Sequence, residues 1–320
     1  MRIVVLDGYT LNPGDTPWDA VAELGDLTVY DRSSEKEVLE RSWDADILVT
    51  NKTWISREVI EQLPRLKFIS VLATGYNVVD TAAAAEKGIP VSNVPEYSTD
   101  SVAQFVVALV LEHCHRIGYH SDRVQGGAWT AASDFCFWDS PLIELAGKTM
   151  GVVGFGRIGR RTGALAHALG MNVIAASPRH GEDPAYKPFK WVSIDALFRE
   201  SDVVSLHCPQ TKDNVGFVDG SLLSTMKPTA LLVNTARGPL VNEKDLADAL
   251  NEGRLAGAAV DVATVEPIHA DSPLLGASNC IITPHIAWAT CEARQRLMQA
   301  TADNIRAFQT GVPIHVVNTE

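Results

Sequence analysis

Cysteine is scarce and unpaired in this 320-residue chain: Cys114, Cys136, Cys208, Cys280 and Cys291 are scattered, and no C-x-x-C pair occurs. Such spacing builds neither a disulfide framework nor a zinc site, and reduced thiols in a cytoplasm fit it best. Long apolar runs are missing too. The greasiest stretch, Val102 to Leu111, is interrupted by Gln104 and falls far short of the roughly 20 residues a bilayer crossing needs. The opening residues Met1 to Asp7 lack the longer apolar core and small-residue cleavage site of a signal peptide and read as a first strand. Basic residues are outnumbered, 27 Lys and Arg against 39 Asp and Glu, which argues against a broad nucleic-acid face or adhesion to anionic lipid. The histidines show no H-E-x-x-H or similar spacing, so no metal is assigned.

What is present is the composition of an ordinary globular protein, 46% apolar and 21% charged. The length exceeds what one core usually supports, so two domains are expected. Short β-branched runs recur between helical patterns: Ile3 to Leu6, Ile47 to Val49, Phe68 to Leu72, Met150 to Val153, Val173 to Ala176, Val203 to Leu206, Ala230 to Val233, Ala258 to Val260 and Ile281 to Thr283. Strands alternating with helices predict α/β architecture with doubly wound parallel sheets, and apolar residues filling the runs fit sheets covered on both faces.

The rhythm breaks once, after Val91, where a long apolar helix from about Thr99 is followed by an irregular stretch from Gly118 to Gly147. That stretch carries Trp129, Phe135, Phe137 and Trp138 and reads either as an arm packing on another subunit or as a loop folded back on its own domain. A last helix, Thr290 to Phe308, has Leu297, Thr301, Ile305 and Phe308 at helical spacing. Its return to the first domain would make that domain discontinuous. The expected division is 1–98 with 289–320 as a flavodoxin-like substrate domain and 99–288 as a Rossmann dinucleotide-binding domain, with 118–147 the arm and the active site between the domains.

The strongest single motif is Gly154-Phe155-Gly156-Arg157-Ile158-Gly159, after the run Met150 to Val153 and opening a helix. In such a G-x-G-x-x-G turn the first glycine permits the bend, the second lets backbone approach a pyrophosphate, and the third lets helix and strand pack closely. The helix N-terminus then offers N–H groups and a partial positive charge, to which Arg157 adds a full one. After the next strand stands Ser177-Pro178-Arg179-His180, where an NAD site usually has an acidic residue. A hydroxyl at Ser177 and a guanidinium at Arg179 favour NADP(H), with NAD(H) as the alternative; an Arg179 pointing only to solvent is the plainer reading.

Three later segments deliver ionisable groups toward the cofactor: Asn234-Thr235-Ala236-Arg237-Gly238, Asp261 through Glu266-Pro267, and Pro284-His285-Ile286-Ala287-Trp288. Singly, each has a bland reading as a surface charge, a loop acid or a turn histidine. Together they suit reduction of a 2-oxo acid beside a nicotinamide. Arg237 offers the rigid fork for a carboxylate, His285 is of the residue type suited to give the carbonyl oxygen its proton, and Glu266 can stabilise the imidazolium.

With these motifs, over essentially its whole length, the chain resembles the D-isomer-specific 2-hydroxyacid dehydrogenases. The resemblance implies the same roles for Arg237, Glu266 and His285. It also implies that Thr74 and Gly75 hold the substrate carboxylate through backbone N–H groups, Thr74 also facing the cofactor, while Cys208, Thr235 and Asp261 line the nicotinamide half. Cys208 and Thr235 read equally as packed strand ends, and Asp261 as a cap of the turn after it. Two departures stand out: Ser177 where many members carry the ribose-binding aspartate, and Ala263 where an aromatic is often found.

Lys52 after Asn51, and Trp288 beside His285, with Trp138 of the arm, resemble the glyoxylate and hydroxypyruvate reductase branch, also called glycerate dehydrogenases. The expectation is therefore hydride transfer from NAD(P)H to hydroxypyruvate or glyoxylate by a cytoplasmic homodimer. A D-lactate-type dehydrogenase using NADH is the alternative enzyme, and a non-catalytic NAD(P)-sensing protein the alternative of another class.

Overall fold

The computed structural model describes residues 1–318 and divides into two compact units. The first takes residues 1–98 together with the segment from Trp288 onward; the second is Thr99–Ala287.

The first unit holds a five-stranded sheet: β1 (Arg2–Val5), β2 (Asp26–Val29), β3 (Ile47–Thr50), β4 (Phe68–Val71) and β5 (Val91–Ser92). All its pairings are parallel and the order is β2-β1-β3-β4-β5, the flavodoxin-like arrangement. Every residue of β3 and β4 is buried, as the continuous apolar runs require of central strands covered on both faces. The last helix, Cys291–Gln309, buries Leu297, Thr301 and Ile305 against this sheet, and Phe308 stacks on Phe68 with ring centroids 4.6 Å apart. Thr290 caps it by accepting the Ala293 N–H.

The second unit is a seven-stranded parallel sheet of β6 (Thr149–Val153), β7 (Asn172–Ala176), β8 (Phe189–Trp191), β9 (Val203–Leu206), β10 (Leu231–Asn234), β11 (Gly257–Val260) and β12 (Cys280–Ile282). Its order, β12-β11-β10-β9-β6-β7-β8, places β6 where the winding reverses, as in a Rossmann sheet. The loop after β6 therefore opens at the switch point, where such sheets bind their ligands.

The structure adds three strands that periodicity alone does not mark. β2, β5 and β8 are all edge strands, and their short sequences Asp26–Val29, Val91–Ser92 and Phe189–Trp191 contain no continuous apolar run. It also corrects the irregular stretch after the long helix Thr99–His115, because Ile117–Gln125 is helical. Arg116, with φ 47°, breaks one helix from the next, and Gly118 hides the new start. No helix among the described residues is long and apolar enough to cross a membrane.

Candidate active site

β6 ends in the glycine turn, which leads directly into the helix Arg157–Ala168. Gly154 has φ +88°, and a Cβ there would lie 2.6 Å from the backbone nitrogen of Cys208. A Cβ on Gly159 would lie 2.2 Å from the Gly154 carbonyl oxygen, so both positions admit glycine alone. Gly156 differs: a Cβ there would meet nothing within 4 Å. It occupies the N-cap position with no side-chain cap, so the first N–H groups of the helix receive no partner from it. Uncapped donors beside open space fit a pyrophosphate.

Next to the turn is a cavity of about 630 Å³ whose lining includes Gly154, Ser177, His180, Trp191, Cys208 and Phe217. His180 stacks on Trp191 with centroids 4.5 Å apart, and the indole is fixed by its N–H to Asp183 at 3.0 Å. Ser177 is half-buried and Arg179 exposed. Burial pushes the Cys208 thiol up, keeping it protonated. The neighbouring His207 is pushed down to about 4 by burial and stays neutral, 2.9 Å from the Ser205 hydroxyl. The Thr235 hydroxyl is buried with no hydrogen-bond partner among the described residues, a vacant polar contact for a ligand. These residues fit a dinucleotide. His180, Trp191 and Phe217 escape sequence reading because β8, which brings the indole alongside, is itself illegible there.

The ionisable groups come from the ends of three adjacent strands, β10, β11 and β12, whose last residues pair as Asn234↔Val260 and Val260↔Ile282. Arg237 follows β10 on a turn closed by buried Asn234, whose amide donates to the Arg237 carbonyl and accepts from Ala236 N–H. The guanidinium is exposed and donates locally to the Ala236 carbonyl at 2.7 Å. Gly238 presses so closely on the segment after β11 that a Cβ would lie 2.0 Å from the Ala263 carbonyl carbon. That segment carries Glu266, whose Oε1 accepts from Ala263 N–H at 3.1 Å and whose Oε2 lies 2.7 Å from His285 Nδ1. Ala263 therefore serves through its backbone, and its small side chain leaves the glutamate in register.

His285 stands on the turn after β12 with φ 55°, a left-handed conformation unusual for a side chain of its size. Asp261, 1% exposed, holds that turn. Its Oδ1 accepts from the Thr283 hydroxyl at 2.6 Å and Ile286 N–H at 2.9 Å, and its Oδ2 from Ala287 N–H at 2.8 Å. Asp261 thus caps a turn, but it is the one after β12 that carries His285 and not the turn that follows Asp261 itself.

In the first unit, Lys52 is exposed after β3, and Thr74 and Gly75 form the loop after β4. The Thr74 hydroxyl donates to the Val94 carbonyl at 2.8 Å, and its own carbonyl accepts from Asn93. Trp288 is half-buried on the core of this unit, edge-on to Tyr97 at 6.2 Å. Arg294 ties the same region together, donating to Ala289 and, through both terminal nitrogens, to Asp15.

Residues 107–287 match the family model for the D-isomer specific 2-hydroxyacid dehydrogenase NAD binding domain. The whole chain is also 51% identical to a hydroxypyruvate reductase of Blautia hydrogenotrophica, over 99% of this chain and 100% of that protein. The chain belongs to the D-isomer-specific 2-hydroxyacid dehydrogenase family. A glycerate dehydrogenase of Methylorubrum extorquens is 38% identical over 88% of each chain. Among solved structures, an acyclic imino acid reductase in complex with NADPH and D-arginine superposes with a TM-score of 0.83 at 31% identity, covering 99% of this chain and 100% of the other. The dehydrogenase is thus an oxidoreductase that uses a nicotinamide dinucleotide. Among its described residues no group of three or more His, Cys, Asp or Glu is gathered to hold a metal ion.

Proposed function

We propose that the dehydrogenase reduces hydroxypyruvate to D-glycerate, takes glyoxylate as a second substrate, and prefers NADPH. The observation that carries this reading is the 2.7 Å contact of His285 with Glu266, on strands neighbouring the one that presents Arg237. Similarity to a hydroxypyruvate reductase at 51% identity supports the choice of acid.

The bound dinucleotide supplies the hydride. Arg237 holds the substrate carboxylate in a two-pronged grip and polarises the adjacent carbonyl. His285 gives its Nε2 proton to the carbonyl oxygen as that oxygen gains charge, and Glu266, accepting from Nδ1–H, stabilises the imidazolium before transfer. Thr74 and Gly75 offer backbone N–H groups to the carboxylate, while Lys52 and Trp288 meet the substrate tail and limit its size. The turn Gly154 to Gly159 seats the pyrophosphate, Ser177 and Arg179 take the 2′-phosphate, and Cys208, Thr235 and Asp261 border the nicotinamide. On this reading the first unit is the substrate domain and the second the dinucleotide domain.

A cytoplasmic homodimer belongs to the same proposal. Phe135, Trp138, Leu142 and Trp129 in the arm 118–147 are 88%, 63%, 55% and 53% exposed, more apolar surface than an isolated chain usually leaves in water. Initial rates for hydroxypyruvate, glyoxylate and pyruvate, each against NADH and NADPH, test the assignment. Highest kcat/KM for hydroxypyruvate with NADPH is expected; pyruvate with NADH leading would replace it with the D-lactate-type reading.

A further inference from the structure

The loop that carries Lys52 has an unusual internal anchor. β1 and β3 run side by side in register as far as Val5↔Val49, and Leu6 N–H still donates to the Val49 carbonyl at 3.0 Å. Beyond that point residues 51–53 leave the ladder, and their N–H groups need other acceptors. All three turn to one carboxylate. Asp7 Oδ1 accepts from Asn51 N–H at 2.8 Å, and Oδ2 accepts from Lys52 N–H at 2.6 Å and Thr53 N–H at 2.7 Å. Asp7 itself is only 8% exposed.

Consecutive N–H groups converging on one point form a concave anion receptor, here filled by the protein's own carboxylate. The Thr50 hydroxyl closes the same turn by donating to the Thr53 carbonyl at 2.8 Å. The Asn51 amide is spent inside, donating to the Leu72 carbonyl at 2.6 Å and accepting from Thr10 at 3.3 Å. Lys52 is then the exposed residue at the crest of a backbone fixed on either side.

We propose that Asp7 is a positioning residue for the substrate site, setting the presentation of Lys52 through the three N–H groups of residues 51–53. The inference rests on the reading of Lys52 as a substrate contact. An ion-receptor carboxylate is demanding: asparagine keeps the size but supplies one acceptor oxygen and sets an NH₂ group against an N–H donor. Asp7→Asn therefore perturbs the loop while leaving β1 intact.

The test is a double-mutant cycle of Asp7→Asn and Lys52→Met in the full-length enzyme, read as KM and kcat for hydroxypyruvate together with the Kd for NADPH by nicotinamide fluorescence. Each single change is expected to raise KM by about tenfold with kcat and NADPH affinity within about twofold, the signature of lost substrate binding. The double variant is expected to match Lys52→Met alone. If the two effects multiply instead, Asp7 does not act through Lys52 and the proposal is overturned, while Lys52 keeps its role. If Lys52→Met leaves KM unmoved, the reading of Lys52 falls and takes the proposal with it. Should Asp7→Asn fail to fold, Thr50→Val, which releases the other side of the turn, replaces it in the cycle. A KM shift that vanishes beside Lys52→Met supports the proposal; an unchanged KM overturns it.

Discussion

His285 and Glu266 are 19 residues apart in the chain and 2.7 Å apart in space, joined through Nδ1 and Oε2. With Nδ1 facing the carboxylate, Nε2 is the ring nitrogen that the proposed mechanism assigns to substrate. His285→Gln removes the proposed proton donor, and with it the imidazolium charge, at little change in volume. It is expected to lower kcat by about a hundredfold to ten-thousandfold, with dinucleotide Kd within about twofold. Glu266→Gln keeps an acceptor for Nδ1–H and loses only the charge, so its fall should be smaller. Stopped-flow single turnovers with saturating cofactor check both, and a His285→Gln enzyme keeping most of its rate would remove histidine from the acid role.

The glycine turn gives a prediction that separates folding from binding. A Cβ at Gly156 meets open space, whereas one at Gly159 would strike the Gly154 carbonyl at 2.2 Å. Gly156→Val should therefore melt close to wild type yet lose dinucleotide affinity by at least about tenfold, because its side chain occupies the pyrophosphate seat. Gly159→Ala should lose stability itself. Calorimetry of melting and cofactor titration, run on both variants, checks the contrast. Undiminished affinity in Gly156→Val would move the pyrophosphate elsewhere.

Much of this site was legible because its signals are local. The turn from Gly154 to Gly159 announces itself within a few residues, whereas the segments bearing Arg237, Glu266 and His285 stand out only as a set. The central strands were legible for a similar reason: burial on both faces leaves an unbroken apolar run, as in Ile47–Thr50. Edge strands such as Asp26–Val29 bury less and carry no such mark. Least legible were the hydrogen-bonding carboxylates. Asp7 serves residues 44 to 46 positions away and Asp261 serves residues 22 to 26 positions away, contacts that exist only once the sheets are assembled. The Asn234 amide is more legible than these carboxylates, since an asparagine bonding two residues ahead is a recognised turn device.

A third carboxylate sets an acid limit on the first unit. Asp46 is 3% exposed and accepts from Arg2 N–H at 2.9 Å, Lys67 Nζ at 3.0 Å and Arg65 Nη2 at 3.1 Å. Burial alone would raise its pKa, but the Arg2 N–H and the two cations outweigh burial and hold the group at about 2, below its ordinary 3.8. Between those values the unfolded chain binds the proton and the folded one does not. The contribution is therefore complete above about pH 4 and is lost as pH falls toward 2. Its size is on the order of 2 kcal/mol. Urea unfolding of wild type and Asp46→Asn should differ by about that amount at pH 7 and converge toward pH 2; a gap independent of pH would sink the assignment.

On the proposed preference for NADPH, cofactor choice would rest on two side chains after β7. The Ser177 hydroxyl and the Arg179 guanidinium can both donate to a 2′-phosphate, whereas a carboxylate at 177 would repel it and accept from the ribose hydroxyls of NADH instead. Ser177→Asp is expected to lower kcat/KM for NADPH by about a hundredfold and to raise it for NADH. Arg179→Ala should cost about tenfold with NADPH and little with NADH, since only one of the two carries the phosphate. The attraction is between exposed charges, so added salt should weaken NADPH binding in wild type and leave NADH nearly unaffected. Steady-state kinetics of the three proteins with both cofactors, at low and high salt, decide it. An Arg179→Ala enzyme that loses equally with NADH and NADPH would mean that the guanidinium does not read the phosphate.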